Sequence, residues 1–335
     1  MSKLKFAGRA KHLAAAGAMA LLAACGGGTQ VEKFVPSRML AFGDETSVID
    51  DSGGNTANGR TYTVNGYTAL TTTRDCRVNP IWIQYVAGLW GFVFPQCNPT
   101  ARATTSQIYA VAGAKVGDIA AQIDAAGSLG TKDLATVLVG ANDLLALYQA
   151  SPDAGPANLA AAQSLAVQLA AQIARIVKTG AKVAFVTIPD LGLTPYALLE
   201  NAAHPGELRS AVLTALTAKF NAQLRTAISN PGSPSFIDGH QGVQVLADEL
   251  FLAIVESATV TPNALAYLNV TTALCTTALV IDCTPDTLLT ASTTPVLNVG
   301  GTAYNYLWAD NTHLSPGGHS SLGSAAATRI LANPL

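Results

Sequence analysis

The chain has 335 residues, 49% of them hydrophobic and 12% charged, with a formal net charge of −2. That length holds one large domain with a sizeable core and does not demand two. No basic run or patch is visible, so the composition disfavours a nucleic-acid partner.

Residues 1–25 read as a leader. Lys3, Lys5, Arg9 and Lys11 make a basic start, and Leu13 to Ala24 is an apolar stretch too short for a membrane span. It ends in Leu22-Ala23-Ala24-Cys25, which resembles a bacterial lipoprotein signal. The resemblance implies a lipidated Cys25 and a chain anchored in the cell envelope, with Gly26 after the cysteine favouring the outer membrane. Residues 26–36 then serve as a flexible tether and 37–335 as the folded domain. Loss of the four basic residues leaves a net charge of about −6, which speaks mainly to solubility. Besides Cys25 there are Cys76, Cys97, Cys275 and Cys283. An even number in an exported chain implies disulfides, with three possible connectivities. Pairing nearest neighbours, Cys76 with Cys97 and Cys275 with Cys283, closes two short loops and is the expected one. No Cys-x-x-Cys or Cys/His cluster suggests a metal site, and no cofactor is implied.

The first strand is expected at 37–42, ending in Gly43-Asp44. Residues 50–80, rich in Gly, Asn and Thr, read as a long surface excursion with a hairpin around Tyr62–Tyr67. Pro80 starts a helix to Leu89, and 90–105 reads as loop. A short strand is expected over Ile108–Gly113, a helix over Val116–Ala125 and a central strand over Leu134–Gly140. Residues 157–178 form a long helix ended by Thr179-Gly180, and 181–189 the next strand. A helix over 207–228, a strand over Ser235–Asp238 and a helix over 242–255 follow. The Thr-rich stretch 258–303 reads as irregular, and Pro316 to Leu331 as the last helix. Alternating strands and helices argue for a parallel sheet with helices on both faces.

In such a sheet, ligands bind beyond the carboxyl ends of strands. Three stretches stand there or converge on it: Phe42-Gly43-Asp44-Glu45, Gly140-Ala141-Asn142-Asp143 and Asp310-Asn311-Thr312-His313. With Gly113, these four blocks, in this order over residues 37–332, resemble the GDSL or SGNH family of ester hydrolases. Ile188-Pro189-Asp190-Leu191 and Phe220-Asn221-Ala222-Gln223-Leu224 add to the likeness. The resemblance implies a flavodoxin-like three-layer α/β fold and cleavage of carboxylic esters of lipids or acylated glycans. It makes position 45 the nucleophile, the Gly113 N–H and the Asn142 amide the oxyanion donors, His313 the general base and Asp310 its orienting partner. The physics suits each role. Fixed donors stabilise a developing oxyanion by around 3 kcal/mol each, and a histidine accepts a proton near neutral pH. An aspartate three residues earlier can fix its tautomer.

The family's serine is replaced here by Glu45, which at neutral pH has no proton to give up. A carboxylate also raises a neighbouring imidazole's pKa and places negative charge where an oxyanion should form. Three readings follow. The nucleophile has moved to Ser47 or Thr46; the carboxylate itself attacks or activates water; or the protein binds a ligand without cleaving it.

Overall fold

In the computed structural model, residues 33–53, 57–229, 240–260, 267–289 and 301–332 are described. The leader with Cys25, most of the tether and the strand expected at Ser235–Asp238 lie outside them. Nine strands are seen among the described residues: β1 Arg38–Gly43, β2 Ile49–Asp50, β3 Arg60–Thr61, β4 Gln107–Ile108, β5 Asp133–Leu138, β6 Lys182–Val186, β7 Gly242–Val245, β8 Asn269–Ala273 and β9 Tyr306–Trp308. Five of them form the main sheet in the order β4-β1-β5-β6-β7. Every pairing in it is parallel. Counted along the sheet strands alone, this is the doubly wound 2-1-3-4-5 order, whose switch point lies between the first and third strands, here β1 and β5.

Side chains of one strand point alternately to two cores, as strand geometry requires. Met39 and Ala41 of β1 join one cluster with Trp82, Phe251 and Trp308. Leu40 and Phe42 join the other with Leu169, Ile173 and Phe220. The first face is covered by helices Trp82–Gly88, Ala247–Val260 and Pro316–Ala332, the second by Ile119–Ala126, Ala141–Ala150, Pro156–Lys178 and Arg209–Ile228. Both faces of the sheet are thereby buried, which is why its strands read as continuous apolar runs. Residues Phe34–Leu335 cluster as one compact unit.

Several expected elements differ. The helix expected from 242 starts at Ala247, and Gly242–Val245 is strand β7. Here Val243 and Val245 are buried in alternation, and a Cβ on Gly242 would lie 1.8 Å from the Val183 carbonyl oxygen. Close backbone pairing with β6 outweighs helical periodicity. The hairpin lies earlier than Tyr62–Tyr67: β2 pairs antiparallel with β3. Asn65 closes the turn after β3, accepting from the Thr61 N–H and donating to its carbonyl. The strand expected over Ile108–Gly113 is cut to β4, because Tyr109 N and Ala110 N both donate to the Ala41 carbonyl. A helix absent from the sequence reading spans Pro195–Ala203, with the Thr194 hydroxyl accepting from Ala197 N. The Thr-rich stretch is not wholly irregular, since β8 runs parallel to β9. Cys76 is bonded to Cys97 and Cys275 to Cys283, as expected.

Candidate active site

The site is assembled at the carboxyl ends of β1, β4 and β5 and on the loop after β9. Strand β1 must turn sharply at Gly43, whose φ is +137° and where a Cβ would meet the Leu138 carbonyl oxygen at 2.0 Å. Only glycine lets β1 and β5 approach so closely there. Asp44 then caps a single 3₁₀ turn, Glu45–Ser47, its side chain accepting from Thr46 N. The turn aims Glu45 across the sheet's rim.

Glu45 meets both expected donors. The Gly113 N–H donates to Oε2 at 2.7 Å, and Asn142 Nδ2 lies 3.1 Å from Oε1 and 3.0 Å from Oε2. Gly113 has open space at its Cβ position but a φ of +76°, so here glycine serves the backbone angle that turns its N–H toward the crevice. Asn142 sits in the first turn of helix Ala141–Ala150, after Gly140. Its amide does not cap that helix: it donates to Glu45 and to the Ala114 carbonyl. Asp143 turns away and accepts from Val116 N.

His313 also reaches Glu45, with Nε2 3.5 Å from Oε1. Its Nδ1 donates to Asp310 Oδ2 at 2.7 Å. Asp310 Oδ1 accepts from the backbone of Thr312 and His313, so the carboxylate is fixed before it orients the ring. Burial works against the imidazolium, but the bonds with Asp310 and Glu45 outweigh it and push the His313 pKa up to about 10. The two carboxyls respond in kind. Burial raises each, yet pairing with His313, helped at Glu45 by the Gly113 N–H, holds both below their ordinary values. At Asp44 the charge on His313 is only the weakest influence. Full burial, then the charge on Glu45, pushes it up to about 7.

The structure therefore brings Glu45, Gly113, Asn142, Asp310 and His313 together and leaves Ser47 apart. Ser47 is fully buried and accepts a hydrogen bond from Trp82 Nε1 at 3.1 Å. Trp82 N in turn donates to Nδ1 of buried His319. That imidazole is kept neutral: burial, then the charge on His313, lowers its pKa to about 3. Ser47 thus anchors the turn from beneath, with no hydrogen bond to His313.

One neighbour escaped the sequence reading. The Tyr62 ring lies against His313, centroids 5.9 Å apart. It is held there because Asn65 also donates to the carbonyls of Ile281 and Cys283, which tie the early excursion to the second disulfide loop. No periodicity marks such a contact; the sole hint is a tyrosine in a long excursion.

Chemically, the crevice is a carboxylate surrounded by a backbone donor, an amide donor and an imidazolium. Among the described residues no group of three or more His, Cys, Asp or Glu is placed to hold a metal ion.

The family model described as GDSL-like Lipase/Acylhydrolase matches residues 39–326. No curated protein sequence matches the chain. Among solved structures, an acetylxylan esterase from Geobacillus stearothermophilus is 16% identical with a TM-score of 0.43, over 89% of this chain and 96% of that one. A member of the lipolytic G-D-S-L family from Veillonella parvula is 11% identical with a TM-score of 0.40, over 86% of this chain and 95% of that one.

Proposed function

Because the chain belongs to the family of GDSL-like lipases and acylhydrolases, we propose that it is a member whose oxyanion hole is filled by its own Glu45, leaving it silent toward carboxylic esters. On this reading it acts as a ligand-binding protein of the cell envelope, held there through a lipidated Cys25, probing small ester-like molecules on a hydrolase scaffold. The two disulfides fit an exported chain.

The observation that carries the proposal is the placement of one carboxylate on Gly113 N, Asn142 Nδ2 and His313 Nε2 together. Ester cleavage by the family's serine route needs three things at this spot. It needs a nucleophile held by the histidine, but Ser47 is buried beneath the turn, the Thr46 hydroxyl interacts with Asp44, and the ring nitrogens of His313 are engaged with Asp310 and Glu45 instead. It needs a base, but a histidine with a pKa of about 10 is already protonated at neutral pH. It needs free donors for the carbonyl oxygen, and these are bonded to Glu45. The same contacts weigh against attack by the carboxylate itself. Both its oxygens are engaged, and a lowered pKa makes it a poorer nucleophile.

The test is hydrolysis of p-nitrophenyl acetate by the wild type, Glu45→Ser, His313→Ala and the double variant. Wild type and His313→Ala should both stay at background. Glu45→Ser should gain activity, and His313→Ala should abolish that gain. Rapid turnover by the wild type that is lost in Glu45→Ala would instead establish a carboxylate mechanism and sink the proposal.

A further inference from the structure

A second cavity lies beside the Cys76–Cys97 bridge and shares no lining residue with the crevice. It is a cleft of about 370 Å³, within the range of small-molecule sites. Phe92, Phe94, Pro80 and Pro99 give it an apolar side, and Gln84, Asn98 and Thr100 add polar groups. Two arginines, Arg77 and Arg102, also line it, and none of its lining residues is acidic.

The two guanidinium groups are not equivalent. Arg77 is already paired, its Nε and Nη2 donating to the two oxygens of Asp75. Arg102 makes no ion pair among the described residues; its Nη2 reaches only the Gly91 carbonyl, at 3.2 Å. Its backbone is nevertheless held in place. Asn98 clamps the Arg102 backbone from both ends, accepting from its N–H and donating to its carbonyl. The intervening Ala101 has a φ of +50°. A non-glycine residue in that region costs on the order of 1 kcal/mol, and such costs cluster at ligand-holding loops.

From the cleft's volume, its apolar side and an exposed guanidinium on a clamped backbone without a carboxylate partner, we propose that it binds a small carboxylate on an apolar body, such as a medium-chain or aromatic acid. The carboxylate would take the open donors of Arg102, a charge-assisted geometry that guanidinium matches in two parallel bonds. The apolar body would lie along Phe92 and Phe94. This site does not depend on whether the crevice cleaves esters.

Calorimetric titration of the purified full-length chain with sodium octanoate tests it. Binding should be saturable at millimolar concentration or below. Arg102→Gln, an exposed position whose loss leaves the fold intact, should weaken it about tenfold or more, and uncharged 1-octanol should bind the wild type about tenfold more weakly than octanoate. Arg74→Gln, an arginine outside the cleft, should change nothing. No saturable binding, equal binding by Arg102→Gln, or equal binding of 1-octanol would overturn the proposal. So would inorganic phosphate displacing octanoate at equal concentration, which would mark a plain anion site.

Discussion

The crevice at the rim of the sheet and the cleft beside the first disulfide both present positive or N–H groups to the space they enclose. In the crevice that space is taken by Glu45 from the chain itself. The cleft has no acidic residue in its lining, and Arg102 keeps open donors. A carboxylate delivered by the backbone loses no translational freedom on binding, whereas a free acid pays that cost from its own contacts. The first site is therefore occupied at every ligand concentration, and the second answers to concentration. The same chemistry of recognition gives a closed site in one place and a receptive one in the other, and what separates them is covalent connection.

Removing that connection should have the largest effect. Glu45→Ser frees two donors and relieves His313 of one of the two carboxylates that raise it, so p-nitrophenyl acetate hydrolysis should rise by about 10²-fold or more over the wild type. Breaking the pair from the other side is a matter of stability. His313→Ala leaves Glu45 and Asp310 without their shared cation and should cost about 3 kcal/mol, read as a lower urea midpoint.

The pH dependence follows from the same pair. A raised histidine pKa gives stability that is fully present below its ordinary value of 6.5 and is lost as the pH climbs toward about 10. The urea midpoint of the wild type should fall across that window, and His313→Ala should lack this fall. Asp44 acts in the opposite sense to its paired neighbours. Its carboxyl rises from 3.8 to about 7 on folding, so the folded state holds a proton that the unfolded chain has released, and stability drops as the pH rises through that interval. Asp44→Asn keeps the acceptor for Thr46 N and removes the buried charge. It should stabilise the protein at pH 8 by about 2 kcal/mol in urea unfolding. The smallest effect belongs to Ser47→Ala. It leaves the Trp82 indole N–H without its acceptor and should cost about 1 kcal/mol, while esterase activity gained through Glu45→Ser stays intact. Loss of that activity with Ser47 would contradict its reading as an anchor.

Much of this was legible in the chain because local signals agreed. The apolar runs at 37–42, 134–140 and 181–189 became β1, β5 and β6, since strands buried on both faces leave no polar alternation to confuse them. The pairing partners of the four mature cysteines followed from short loops. What escaped has long-range causes. Gly242–Val245 resembles the start of a helix until the Val183 backbone lies against it. The contact of Tyr62 with His313 depends on Asn65 reaching carbonyls more than 200 residues away. At the site, the blocks named the participants, but not that Glu45 would lie on the donors themselves. That follows from side-chain reach: a glutamate carries one more methylene and a carboxylate beyond its Cβ, enough to carry its oxygens to Gly113 and Asn142, where a serine hydroxyl would stop short.

The turn carrying Glu45 is tied through Trp82 to His319 in the final helix, and its imidazolium partner precedes that helix by only a few residues. During synthesis the carboxylate emerges early and its cation nearly last. Whatever the order in which the layers gather, charge balance at the rim waits for the tail of the chain. A chain short of its closing segment lacks the cation that balances Glu45.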